Sequence, residues 1–235
     1  MFILDSINFC SIIWGEVIVS PRVEKIISPP EECTSVEILC SIQDDNSCIS
    51  TWHFFQSLTE NEHVKLFKLL LNTVLKEPLT KNFTISLNTP IHIIRNINDF
   101  LPLLLNNKDQ RIAFELLESD IRHIGTYEYG ILERLNKLSN VNLWLDDFGN
   151  NQSNFDIVLS KKVHFNTIKV SKELFWALID SDMSFLRSLL TYLSKDHSVI
   201  VEGIETKQQL DFISKIKGIK IQGYYFNPQL ESINE

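Results

Sequence analysis

The chain has 235 residues, 44% of them hydrophobic and 22% charged, enough apolar surface to bury a sizeable core. Its 30 acidic residues outnumber 22 basic ones for a net charge of −8, with no Lys/Arg cluster, which argues against direct binding to nucleic acid. Cys10, Cys33, Cys40 and Cys48 lack CxxC spacing, Met1 to Trp14 has no basic leader, and no apolar run approaches the ~20 residues of a membrane span, so a cytoplasmic protein with reduced thiols and no membrane contact is expected.

Eight short, β-branched runs look like strands buried on both faces. The first is Ile12–Val19 and the second Val36–Cys40. A helix over Glu60–Leu75 follows, its Val64, Phe67, Leu71, Val74 and Leu75 on one face of a 3.6-residue period, and leads to the strand Phe83–Leu87. Helical stretches at Pro90–Leu105 and Tyr127–Leu138 precede the strands Ile112–Leu116 and Val141–Leu145. After Asn166–Val170 come helices at Ser171–Ile179 and Met183–Leu193, then the strand Ser198–Val201, a helix at Lys207–Ile216 and the last strand, Ile219–Tyr224. Alternating strands and helices predict a parallel sheet of the α/β class. Eight strands without a Gly-rich phosphate loop favour a single TIM-like (β/α) barrel over a Rossmann fold, and no linker divides residues 1–235.

Nearly every strand delivers something polar. Glu37 lies in the second, Asn88 ends the third, and Glu115 and Glu118 belong to the fourth. Asp146 and Asp147 end the fifth, Lys169 lies in the sixth, Glu202 and Glu205 on the seventh and Gln222 on the eighth. Any one of these residues alone reads equally well as a cap or an ion pair. Seven strands feeding polar groups to one barrel mouth is another matter, since that face is where barrel active sites form. Five or more converging carboxylates with an amide oxygen repel one another unless a hard divalent cation joins them, which predicts Mg²⁺ or Mn²⁺.

At these residues the chain resembles the EAL family of cyclic di-GMP phosphodiesterases. Glu37-Ile38-Leu39 stands for Glu-Ala-Leu, and Glu115-Leu116-Leu117-Glu118-Ser119 is similar to Glu-Ile-Thr-Glu-Ser. Asp146-Asp147-Phe148-Gly149 is identical to the family segment, Val201-Glu202-Gly203-Ile204-Glu205-Thr206 resembles Ala-Glu-Gly-Val-Glu-Thr, and Gln222-Gly223-Tyr224-Tyr225-Phe226 matches the closing Gln-Gly-Tyr-x-Phe. The resemblance implies a two-metal phosphodiesterase that opens cyclic di-GMP to linear pGpG. It assigns Glu37, Asn88, Glu115 and Asp146 to one metal, and Asp146, Asp147 and Glu202 to a second. Lys169 would orient the attacking water, and Glu202 is also a candidate general base. Glu205 and Gln222 would support the substrate side, and Glu118 would brace the loop after Asp147.

Four departures stand beside these matches. Ser41 replaces an Arg that holds a substrate phosphate, and nothing nearby in the sequence obviously replaces it. Ser20-Pro21 lacks the Gln of the family's Gln-Pro-Ile, and Ser171 replaces an acidic residue. The loop after Asp147 runs Phe148-Gly149-Asn150-Asn151-Gln152-Ser153-Asn154 in place of Phe-Gly-Thr-Gly-Tyr-Ser-Ser. The resemblance is therefore to stand-alone members that have given up catalysis, bind cyclic di-GMP weakly or not at all, and act on a protein partner, a flagellar transcription regulator. A working phosphodiesterase is the alternative. The aromatic groups Trp52, Phe54 and Phe55, and Phe175 and Trp176, read as core before interface.

Overall fold

Eight strands, most of them buried on both faces, close this chain into a ring. The structure is a computed structural model and describes residue 7 and residues 9–29, 32–44, 47–150, 155–160 and 162–227. A short strand β1 (Ile12–Trp14) is followed by β2 (Val17–Ser28), β3 (Glu32–Gln43), β4 (Cys48–Ile49), α1 (Thr51–Ser57) and α2 (Glu60–Lys76). Next come β5 (Thr84–Asn88), α3 (Ile91–Arg95), α4 (Leu101–Asn106), β6 (Arg111–Leu117), α5 (Glu118–Ile121), α6 (Thr126–Leu135) and β7 (Val141–Phe148). The last third holds α7 (Asp156–Leu159), β8 (Thr167–Val170), α8 (Lys172–Ser181), α9 (Met183–Leu193), β9 (Ser198–Val201), α10 (Lys207–Ile213) and β10 (Ile219–Ile221).

The sheet order is β1-β2-β10-β9-β8-β7-β6-β5-β3-β4, and the pairing of β2 with β3 closes the eight inner strands into a barrel. From β3 round to β10 neighbouring strands are parallel. β2 is antiparallel to both of its barrel neighbours, so the barrel is mixed. This corrects the expected first strand. Ile12–Val19 is not one parallel strand: Gly15, at φ 60, and Glu16 turn the chain between β1 and β2, whose register pairs Ile12 with Val19. A left-handed φ suits glycine, and the turn splits an apolar run whose composition carries no other break.

The expected helix at Pro90–Leu105 is also divided. α3 ends at Arg95, a 3₁₀ turn spans Ile97–Asp99, and α4 starts with Pro102 in its first turn, where a missing N–H costs nothing. The short helices α1, α5 and α7 carry too few turns for a periodic signal. The remaining helices match their expected positions to within a few residues at their ends. Thr59 and Glu62 cap α2 reciprocally, and Thr206 and Gln209 do the same for α10. Among the described residues no helix is long and apolar enough to cross a membrane.

Outward-facing strand residues such as Val36, Ile85, Phe114, Leu145, Ile168 and Val199 pack under the helices in the main core. A second, smaller cluster of Ile26, Ala113, Trp144 and Ile200 fills the inside of the ring. This apolar floor sets the site. Two residues further along each parallel strand, the inward position is Glu115, Asp146 or Glu202. Phe54 and Phe175 are buried, whereas Trp52 is 65% exposed.

Candidate active site

Lys169 is the centre of the barrel mouth. Fully buried on β8, its Nζ lies 2.9 Å from Glu115 Oε2, 2.9 Å from Glu202 Oε1, 3.0 Å from Asp146 Oδ1 and 3.1 Å from Glu37 Oε2. Burial alone would strip its proton, but Asp146, Glu115, Glu202 and Glu37 outweigh burial and hold the ammonium well above the usual lysine range. An ammonium has three protons to donate, and four carboxylates face it. Asp146 Oδ1 accordingly sits at contact distance without a hydrogen bond, and the far oxygen of Glu115, Oε1, is buried without one.

The carboxyls divide the charge between them. Burial pushes Glu37 up, yet Lys169 and the Gln222 and Asn88 amides prevail and hold it below its ordinary value. Gln222 Nε2 donates to Glu37 Oε2 at 2.7 Å, and Asn88 Nδ2 donates to Oε1 at 2.8 Å. Glu115 is held well above the carboxylate range by burial and then by Glu37 and Asp146. Glu202 is pushed up to about 8, by burial first and by Asp146 and Glu37 against the pull of Lys169. Asp147 is raised by burial and by Asp146, and its backbone takes φ 58, a left-handed conformation that is uncommon outside glycine.

Glu118 begins α5 rather than belonging to the strand before it. Its Oε2 accepts a hydrogen bond from Gly149 N–H at 3.1 Å, and its Oε1 pairs with Arg122 Nη2 at 2.9 Å. Glu202 and Glu205 follow the end of β9, and Gln222 follows β10. Glu205 lies on the rim, 2.9 Å from Lys172 Nζ, which in turn sits 4.1 Å over the Trp176 ring. Ser171 is buried and caps α8, its Oγ accepting from Leu174 N–H at 3.3 Å. Ser41 Oγ donates to Ser20 O at 3.3 Å across the β2–β3 ladder. The altered loop residues 151–154 lie outside the described residues.

The sequence reading missed Glu24 and Arg22. β2 pairs Glu24 with Glu37, Arg22 with Leu39 and Ser20 with Ser41, so Glu24, Arg22 and Ser20 share the inner face with Ile26. Glu24 is raised to about 7 by burial and then by Glu37, with Gln222 and Lys169 opposing. The available signal was the alternation Val19-Ser20-Pro21-Arg22-Val23-Glu24, a period of two that marks a half-polar antiparallel strand.

Hard-cation chemistry suits this donor set: carboxylates, an amide carbonyl, and two buried carboxylate oxygens left without a hydrogen bond. Among the described residues, no three Asp, Glu, His or Cys side chains already stand in the arrangement of a metal centre. The reason is visible in the distances. The carboxylates converge on Lys169 Nζ at about 3 Å, the length of a charge-assisted hydrogen bond rather than of a metal–oxygen bond.

Comparison with known proteins bears on this geometry. Cyclic di-GMP phosphodiesterase NbdA of Pseudomonas aeruginosa is 32% identical over 122 residues, which are 51% of this chain and 15% of that protein. Cyclic di-GMP phosphodiesterase PdeH of Escherichia coli is 33% identical over 97 residues, 39% of this chain and 37% of that protein. The matched segments thus span well under half the length of either relative. Among solved structures, the EAL-like domain protein YdiV superposes with a TM-score of 0.75 at 18% identity, covering 93% of this chain and 97% of that one. A manganese and cyclic di-GMP complex of BlrP1 from Klebsiella pneumoniae gives 0.72 at 17% identity, covering 92% of this chain and 57% of that one. At such identities these likenesses speak for the fold. The EAL domain model matches residues 27–229, from the end of β2 past the last strand, and the chain belongs to the EAL domain family.

Proposed function

We propose that this chain is a metal-dependent phosphodiesterase that opens cyclic di-GMP to linear pGpG. The observation that carries this reading is the convergence of Glu37, Glu115, Asp146 and Glu202 on Lys169, with Asn88 and Gln222 bound to Glu37. Support also comes from the names of the two curated relatives above 30% identity. Glu37, Asn88, Glu115, Asp146, Asp147 and Glu202 are the residues that would hold Mg²⁺ or Mn²⁺. Such ions, when bound, make water a stronger nucleophile and offset the charge that builds on the phosphoryl oxygens. Lys169, as a permanent ammonium at the centre, orients the water by donating to it. Glu202, whose carboxyl lies 2.9 Å from Lys169 Nζ at the same mouth, takes the water's proton. The water oxygen bonds to one phosphorus in line, the bond from that phosphorus to the ribose 3′ oxygen breaks, and the leaving oxygen takes up a proton.

A second reading has observations of its own. Ser41 and Ser20 bring no charge to the rim, and YdiV is among the close structural matches. On that reading the barrel is a non-catalytic scaffold that binds a protein partner, a flagellar transcription regulator, and represses motility. One experiment separates the two. The full chain and its Glu37→Gln form are incubated with cyclic di-GMP and Mg²⁺ or Mn²⁺, and both are overproduced in motile cells. The phosphodiesterase reading expects pGpG from the unmodified chain and about a hundredfold less from Glu37→Gln, as when a stabilising contact to the reacting centre is removed. No pGpG from either form, with motility inhibited equally by both, overturns it in favour of the scaffold.

A further inference from the structure

The mouth contains an arginine that the carboxylate cage does not use. β2 runs from Ile26 in the apolar floor, through Glu24 opposite Glu37, to Arg22 opposite Leu39 and Ser20 opposite Ser41. Arg22 is thus the next inner-face residue toward the rim after Glu24, on the strand beside β3. Its Nε and Nη1 are shut off from solvent and have no hydrogen-bond partner among the described residues. No carboxylate among those residues pairs with it, although the mouth is rich in them.

That arrangement is costly unless something completes it. A guanidinium keeps its charge in any protein, so it cannot escape burial by losing a proton, and each buried N–H left unbonded forfeits the hydration it had. The nearby acids have other partners: Glu37, Glu115, Asp146 and Glu202 face Lys169, Glu205 pairs with Lys172, and Glu24 hydrogen-bonds with Gln222. Within the mouth, then, Arg22 is the inner-face cation not already neutralised by a described residue, and it stands in an otherwise acidic surface. An incoming phosphate oxygen supplies an acceptor and a charge that these N–H groups lack, whereas a cationic ligand is repelled by the guanidinium.

We propose that Arg22 is the phosphate-binding residue of this mouth, its guanidinium taking the non-bridging oxygens of a phosphodiester. It supplies from β2 the positive charge that Ser41 does not supply from β3. The proposal rests on the phosphodiesterase reading and deepens it: a chain without an arginine at position 41 still grips its substrate's phosphate. It also means that the residue is held for binding at the expense of stability, because the free protein leaves two buried guanidinium nitrogens without a hydrogen-bond partner.

The test uses the full chain with Mn²⁺ and cyclic di-GMP, measuring KM and kcat from initial rates of pGpG formation, and separately the melting temperature without ligand. Arg22→Ala is expected to raise KM about tenfold or more, the loss of a charge-assisted contact. Arg22→Lys is expected to fall between, and millimolar guanidinium ion to restore part of the lost affinity of Arg22→Ala. Arg22→Met, of similar volume and uncharged, is expected to melt no lower than the unmodified chain. Unmodified turnover with KM and kcat of Arg22→Ala unchanged within about twofold overturns the proposal and leaves the phosphodiesterase reading standing. So does a lowered melting temperature in both Ala and Met forms with no rescue by guanidinium, which marks a structural arginine. Absence of any turnover or nucleotide binding by the unmodified chain overturns both.

Discussion

Lys169 shows how one residue keeps an otherwise repulsive cluster folded. Four carboxylates lie within 3.1 Å of its Nζ, and they bind it more strongly than burial penalises it. Lys169→Met keeps the volume and removes the counter-charge, so near neutral pH it should cost about 3–5 kcal/mol, the range for breaking a buried ion pair from one side. Urea unfolding measures this, and Mg²⁺ or Mn²⁺ at millimolar levels should return much of the loss by taking over the carboxylates. A Met variant as stable as the parent, with no response to either ion, would contradict the charge assignment. At this scale the sequence was informative where a polar residue interrupted an apolar strand, as at Glu37, Glu115 and Lys169. It was mute at Glu24 and Arg22, because the apolar run ends at Val19 and the half-polar alternation beyond it lacks the look of a strand buried on both faces.

Between elements, two contacts carry consequences that can be measured. The turn after β7 bends through Asp147 at φ 58 and Gly149 at φ 95, and Glu118 Oε2 at the start of α5 holds Gly149 N–H. A Cβ on Gly149 would stand 2.8 Å from Leu174 Cβ on α8, in a backbone conformation that side chains resist. Gly149→Ala should therefore destabilise the fold by about 1–3 kcal/mol and reduce pGpG formation by moving Asp147; an unaltered melting temperature and rate would contradict the strained-turn account. The second contact joins α2 to α3, where His63 Nδ1 and His92 Nε2 lie 2.9 Å apart under Phe55. Burial and then the neighbouring His92 lower His63 to about 4 from the usual 6.5. A depressed histidine means that the unfolded chain binds the proton first. Its contribution to stability is complete above pH 6.5 and is lost as the pH falls from 6.5 through about 4. His63→Gln should flatten the dependence of melting temperature on pH across that window, and an unchanged slope would remove His63 as its cause. Neither contact was legible beforehand: the histidines lie on helices whose mutual approach no local pattern encodes, and Gly149 meets Leu174 only through packing.

For the molecule as a whole, the barrel was legible because seven of its eight strands are parallel and doubly buried, which writes them as apolar runs separated by helices. Its closure was not, since β2 runs against its neighbours and its pairing with β3 follows from chain reversal rather than from composition. That closing strand brings Glu24 and Arg22 to the mouth, so the part of the fold that was hardest to read is also the part that changes the functional reading. The loss of Arg at position 41 favoured a scaffold, and the inner face of β2 returns a guanidinium to the same mouth. On the proposed function, this mouth hydrolyses a cyclic dinucleotide with the help of a divalent cation. Its most direct test is chromatographic separation of pGpG after incubating the purified chain with cyclic di-GMP and Mn²⁺, with and without a chelator. A phosphodiesterase gives pGpG that accumulates with time and vanishes under chelation; intact cyclic di-GMP in both samples, from folded protein, rules that function out.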